Sequence, residues 1–197
     1  AIGAIEKHPA RIGLYEARHR AQQAGFACPV GPRQGHSVTG IARAAFLGCT
    51  RLASVTLGSS VTSIGMGAFY RCTSVTKFSV DDANSAYSSL NGALFDKAQT
   101  TLITFPAGRS GSYVIPDSVT RIGTTLYSGP LGGAFSGCTS LTNVIIGNSV
   151  TNIGFSAFFG CTSLTRLTGD AICSTARSQE MGGRCSSPAA RRGGRRS

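Results

Sequence analysis

One hexapeptide recurs through the chain in the same frame, and its spacing constrains the fold more than any other feature. It reads Ala45-Phe46-Leu47-Gly48-Cys49-Thr50, Ala68-Phe69-Tyr70-Arg71-Cys72-Thr73, Ala134-Phe135-Ser136-Gly137-Cys138-Thr139 and Ala157-Phe158-Phe159-Gly160-Cys161-Thr162. Phe46 to Phe69 is 23 residues, and Phe135 to Phe158 is again 23. Before each hexapeptide stands a Val-Thr-x-Ile stretch: Val38 to Ile41, Val61 to Ile64, Val119 to Ile122 and Val150 to Ile153. After it comes a hydrophobic strand pattern, Leu52-Ala53-Ser54-Val55-Thr56-Leu57, Val75 to Val80, Leu141 to Ile146 and Leu164 to Leu167. A fixed period of this length marks a stack of supersecondary units, none of which can bury its apolar side alone.

In the second block Val61, Ile64, Ala68, Phe69, Cys72, Val75, Phe78 and Val80 form the inward set. Stacking should bring like residues into register about 4.8 Å apart and complete one common interior. Gly65 and Gly154 are expected to supply permissive backbone where the chain turns a corner. Two stretches break the period. Val119 to Val150 is 31 residues, an excess of eight, which is assigned to a loop at 124–132 around Tyr127-Ser128-Gly129-Pro130. Residues 81–118 depart from the consensus; within them Ala93-Leu94-Phe95 and Thr101 to Phe105 predict a strand pair joined by residues 96–100.

The motif Ser-Val-Thr-x-Ile-Gly followed by Ala-Phe-x-Gly-Cys-Thr-Ser-Leu-Thr-x-Val resembles the BspA-like class of leucine-rich repeats, with residues 140–164 matching almost throughout. Tyr87 to Lys97, Phe105 to Gly108 and Tyr113 to Val119 resemble an irregular repeat common in that family. The resemblance covers about residues 37–169. It implies a right-handed leucine-rich-repeat solenoid of short parallel β-strands with irregular or short helical connections. It also implies a surface or secreted protein that serves adhesion or protein recognition.

The ends lie outside the pattern. Residues 1–36 have no repeat match; a helix is expected over Arg11 to Ala24, as a cap on the stack or a loose attachment. Residues 170–197 are rich in Arg, Gly and Ser and predict a disordered basic tail. The net charge is +11, of which the two ends hold +7 and the repeats +4. The first residue is Ala1, as in a fragment or processed product, so a missing leader says nothing about export. No apolar run reaches the length of a membrane span.

The seven Cys divide into a ladder and three outliers. Cys49, Cys72, Cys138 and Cys161 hold one repeat position, which reads as a row of buried thiols behaving as small hydrophobes. A disulfide between neighbours such as Cys138 and Cys161 is a geometric alternative. Zinc fits poorly, because a ladder sets ligands in a row rather than around a point. Cys28, Cys173 and Cys185 lie off the ladder. His8, His19 and His36 all fall in the unmatched N-terminal segment without a carboxylate cluster, and read as solvated side chains. Asp81 and Asp82 read as a solvated turn. No phosphate-binding glycine loop and no nucleophile–base–orienter set is present. The chain therefore reads as a non-enzymatic module with no metal and no cofactor.

Alternation along the strands nominates Ser54, Thr56, Lys77, Ser79, Asn143, Ile145, Arg166 and Thr168 as the outward, ligand-facing row. The expected partner is a protein or surface glycan. The alternative places recognition in Arg191-Arg192-Gly193-Gly194-Arg195-Arg196, whose guanidinium groups would neutralise nucleic-acid phosphates or anionic lipid.

Overall fold

The computed structural model describes residues 39–123 and 133–169, together with the backbone of 185–186. The expected helix at 11–24, the loop at 124–132 and the rest of the tail lie outside the described residues. Thirteen short strands follow in order: β1 Gly40–Ile41, β2 Ser54–Leu57, β3 Ser63–Ile64, β4 Lys77–Val80, β5 Tyr87–Leu90, β6 Ala93–Asp96, β7 Thr101–Thr104, β8 Gly111–Val114, β9 Arg121–Ile122, β10 Leu141–Ile145, β11 Asn152–Ile153, β12 Arg166–Thr168 and β13 Cys185–Ser186. The last pairs in parallel with β12, inside the segment expected to be a tail.

Equivalent strands of successive blocks pair in parallel at the sequence period. Gly40 faces Ser63, Ser54 faces Lys77 and Asn143 faces Arg166. Across the long block the offset is 31, with Arg121 opposite Asn152, yet Phe135 still stacks on Phe158 at 4.9 Å with rings 5° from parallel. The eight extra residues are therefore absorbed between Gly123 and Gly133, where the sequence places them, and the ladder on either side keeps its register.

The turn between the two strands of a block is held by its neighbour's turn. Ala44, Phe46 and Gly48 donate their N–H groups to the carbonyls of Met66, Ala68 and Tyr70 at 2.7–3.0 Å. Phe135 and Gly137 do the same to Ala157 and Phe159 at 2.8 Å. The expected short helices are absent among the described residues. Each turn carries left-handed residues, such as Gly67 (φ 65°) with Arg71 (φ 61°) and Ser156 (φ 53°) with Gly160 (φ 74°), which a right-handed helix cannot include. Gly65 also has a different reason from the expected one. Neither it nor Gly154 has positive φ; instead a Cβ on Gly65 would lie 2.3 Å from the Arg43 nitrogen, so glycine is required by close backbone approach.

Threonines that alternation alone would send outward are inter-block staples. The hydroxyls of Thr62, Thr76, Thr142 and Thr165 donate to the carbonyls of Thr39, Ala53, Gly111 and Thr142, at 3.0–3.3 Å.

Residues 81–118 contain the predicted strand pair, β6 and β7, antiparallel. They also contain β5, paired with β6 through Asn91-Gly92. Both turn residues have positive φ, 51° and 77°, the signature of a two-residue hairpin that Asn-Gly favours. β6 is buried on both faces and divides the interior. Leu94 packs into a cluster with Ile41, Phe46, Val55, Phe69 and Phe78. Ala93 and Phe95 pack on the other side with Tyr113, Ile122, Phe135 and Phe158. The single common interior expected from the repeat is thus two clusters separated by one strand. In the second cluster Phe105 takes the place of a repeat phenylalanine, donating its N–H to the Ala134 carbonyl at 2.8 Å and lying 5.2 Å from the Phe135 ring.

Asn84 joins the regular and irregular blocks. It is 1% exposed, and its Nδ2 donates to the Gly58 and Val61 carbonyls at 2.8 and 2.9 Å. Its Oδ1 accepts from the Ala86 and Tyr87 N–H groups at 2.9 and 2.7 Å. Asn84→Ala should lower unfolding free energy by about 3 kcal/mol, since it orphans buried main-chain groups. Asn84→Asp should not restore it, because a carboxylate cannot donate to the two carbonyls; urea unfolding of both variants checks this. Asp96 closes the β6–β7 turn by accepting from the N–H groups of Thr100 and Thr101 and from the Thr100 hydroxyl. Burial works to raise its carboxyl, but the hydrogen bonds from Thr101 and Thr100 outweigh it and hold the group below the ordinary carboxylate range. A depressed folded-state value stabilises at neutral pH, and that contribution disappears as acid titrates the group. Urea midpoints of Asp96→Asn should therefore fall less between neutral pH and the acid range than those of the unmodified chain.

Candidate functional site

Parallel pairing at the strand period places residues of equal parity in rows across a sheet. On β8, β10 and β12 the outward rows are Ser112–Asn143–Arg166 and Val114–Ile145–Thr168. The residues between them, Tyr113, Val144 and Leu167, are buried beneath. Burial pushes the Tyr113 phenol up to about 12, against the opposing charge of Arg109. Val114 is 59% and Ile145 41% exposed, side by side in the same row. Arg166 is exposed and Thr168 half-buried. Asn143 is half-buried, and its Oδ1 accepts no hydrogen bond among the described residues. The patch thus offers an adjacent pair of aliphatic side chains and a guanidinium, while the Asn143 Oδ1 is buried beneath the surface.

Four sequence-nominated residues, Asn143, Ile145, Arg166 and Thr168, belong to this patch. The other four, Ser54, Thr56, Lys77 and Ser79, lie on the separate β2–β4 sheet, with Ser54 opposite Lys77 and Thr56 opposite Ser79. Ser54, Thr56 and Lys77 are exposed, and Ser79 is half-buried. One continuous row of eight does not form. The Phe78 N–H, which a regular neighbour would otherwise engage, is bonded to the Gly92 carbonyl at the β5–β6 turn. Ser112 and Val114 escaped the sequence reading because β8 belongs to the irregular block. Their register was nonetheless available: Val114 to Ile145 repeats the 31-residue offset of Val119 to Val150.

A second concavity marks the junction of the two clusters. It measures about 440 Å³ and is lined by Met66, Phe69, Phe78, Ile103 and Phe105, with Arg121 the one charged side chain among its described lining residues. It arises where residues 81–118 interrupt the stacking of one hexapeptide turn on the next.

Among the described residues the remaining candidates assemble no reactive centre. Asp81 accepts from the Ala83 N–H at 2.9 Å, an ordinary turn contact. Among the described residues no three of His, Cys, Asp and Glu gather as metal ligands. His8, His19, His36, Cys28 and Cys173 lie outside the described residues. Cys72, Cys138 and Cys161 are buried thiols on the ladder, and Cys49 is half-buried. The Cys72 and Cys161 sulfurs donate to the carbonyls of Phe46 and Phe135. No helix among the described residues is long and apolar enough to cross a membrane.

Comparison with known proteins agrees with this geometry. The crystal structure of the pneumococcal vaccine antigen PcpA is similar at 25% identity and a TM-score of 0.53, over 61% of this chain and 28% of that one. A leucine rich cell surface protein from Faecalibacterium prausnitzii A2-165 is similar at 28% identity and a TM-score of 0.54, over 66% of this chain and 33% of its own. The chain thus spans about a third or less of these two solved chains. No curated protein matches. The BspA type leucine rich repeat region matches residues 34–111 and 109–179, with 6 copies. With most of its length in that repeat, the chain belongs to the BspA-type leucine-rich-repeat family.

Proposed function

We propose that the chain is a non-enzymatic recognition module that binds a protein or surface glycan through the outward face of β8, β10 and β12. The observation that carries the reading is the exposed Val114–Ile145 pair beside Arg166. Adjacent aliphatic side chains on a rigid sheet anchor a partner by apolar burial, while the guanidinium orients it by hydrogen bonds. Ser54, Thr56, Lys77 and Ser79 provide a second, polar contact area on β2–β4, suited to a large partner rather than a small metabolite. The blocks would wind as a right-handed solenoid, and the module would act at a cell surface or outside the cell. The surface assignment follows the relative from Faecalibacterium prausnitzii, which is described as a cell surface protein.

Arrays of immobilised extracellular proteins and glycans, probed with the full chain, test the reading. For a partner found there, Val114→Asp with Ile145→Asp should weaken binding by about tenfold or more, since loss of one buried aliphatic anchor costs about 1.5–3 kcal/mol. Replacement of Arg191, Arg192, Arg195 and Arg196 by Ala, which keeps β13 on β12, should leave it intact with little dependence on salt. Loss of binding in that variant, where the unmodified chain shows a steep salt slope, would instead assign recognition to the arginine tail.

A further inference from the structure

Cys138 and Cys161 end the hexapeptide turns of two directly stacked blocks. The turns run side by side: Gly137 N–H meets the Phe159 carbonyl at 2.8 Å, and a Cβ built on Gly160 would lie 3.6 Å from the Gly137 Cα. Neighbouring chains in such a ladder are about 4.8 Å apart, inside the Cα separation of about 4.4–6.8 Å that a disulfide spans. The Cys161 S–H reaches across to the turn that carries Cys138, donating to the Phe135 carbonyl at 3.1 Å, and the two thiols interact electrostatically. Losing the S–H donor would not orphan that carbonyl, because it also accepts the Cys138 N–H at 3.1 Å.

We propose that Cys138 and Cys161 are a modification site, closing to an inter-repeat disulfide on exposure to a small-molecule disulfide such as oxidised glutathione. The Cys161 thiolate attacks one sulfur of the oxidant, forming a mixed disulfide and releasing one glutathione thiolate. The Cys138 thiol then loses its proton to solvent and attacks the Cys161 sulfur, releasing the second glutathione. Two protein thiols are oxidised to one disulfide, and the oxidant's disulfide is reduced to two thiols. The order follows from access: Cys161 is 6% exposed against 0% for Cys138, and the neighbouring Cys161 thiol together with burial pushes the Cys138 thiol up. The bond closes a ring across one period and clamps two blocks together, restricting the unfolded chain.

Trypsin makes the test direct, because residues 122–166 form one peptide that holds Cys138 and Cys161 and no other cysteine. The full chain is incubated with oxidised glutathione at about pH 8, where thiolates form, then denatured, alkylated and digested. The expected peptide carries no alkyl group and is about 2 Da lighter than the reduced form, a difference reversed by reductant. The oxidised chain should also melt several degrees higher. Cys138→Ser should retain glutathione on Cys161, since the resolving sulfur is gone. A peptide that takes two alkyl groups after oxidation, or one that holds a persistent glutathione in the unmodified chain, overturns the proposal. A Cys138→Ser chain with no adduct overturns the entry at Cys161.

Discussion

The main-chain hydrogen-bond ladder between consecutive blocks is the constraint on which the rest of this molecule depends. Its strands are two to five residues long, too short to be stable by themselves, and between the repeating blocks their paired residues lie 23 or 31 residues away. Once the ladder sets the register, the other contacts follow from it. Equal positions coincide, so Phe46 stacks on Phe69 and Phe135 on Phe158, in both cases with rings 5° from parallel. Threonine hydroxyls reach the preceding carbonyls for the same reason. The stack is therefore cooperative along the chain, each block completing the interior of its neighbour.

Residues 81–118 both interrupt the ladder and splice it. β6 keeps both of its faces in contact with apolar side chains, Leu94 on one side and Ala93 with Phe95 on the other. Asn84 ties the irregular block to the preceding one with its side chain, donating to the Gly58 and Val61 carbonyls. Phe105 then resumes the turn ladder by bonding to Ala134. The splice has a consequence for recognition. It separates the outward strand faces into two areas of different chemistry, a polar one on β2–β4 and one with exposed aliphatic side chains on β8–β12, and it leaves a concavity between the clusters.

A scaffold of this kind suits binding because the inward residues are committed to packing and, apart from the stapling threonines, the outward ones are free to vary. Val144 and Leu167 are buried while Ile145 and Arg166, their immediate neighbours, face solvent. The surface can therefore be changed without changing the stack, whereas a catalytic centre would require titratable groups converging from several elements. Along a ladder, side chains of one kind stand in rows.

Periodicity made much of this legible in advance. The block boundaries, the inward set around Phe69 and Val75 and the location of the eight extra residues follow from counting, because a stacked chain turns sequence period into spatial register; the β6–β7 pair follows from its local strand pattern. The Asn91-Gly92 turn is equally legible in its dipeptide, although it stands in a non-consensus stretch. Other features depend on what lies across the gap between blocks. Gly65 is required by the Arg43 backbone opposite it, the interior divides because β6 happens to be covered twice, and Val114 joins Ile145 only through pairing of β8 with β10. Sequence by itself determined which residues recur and hence which can stack. Tertiary structure alone decided which faces stay continuous, because that depends on contacts between segments whose separation departs from the period.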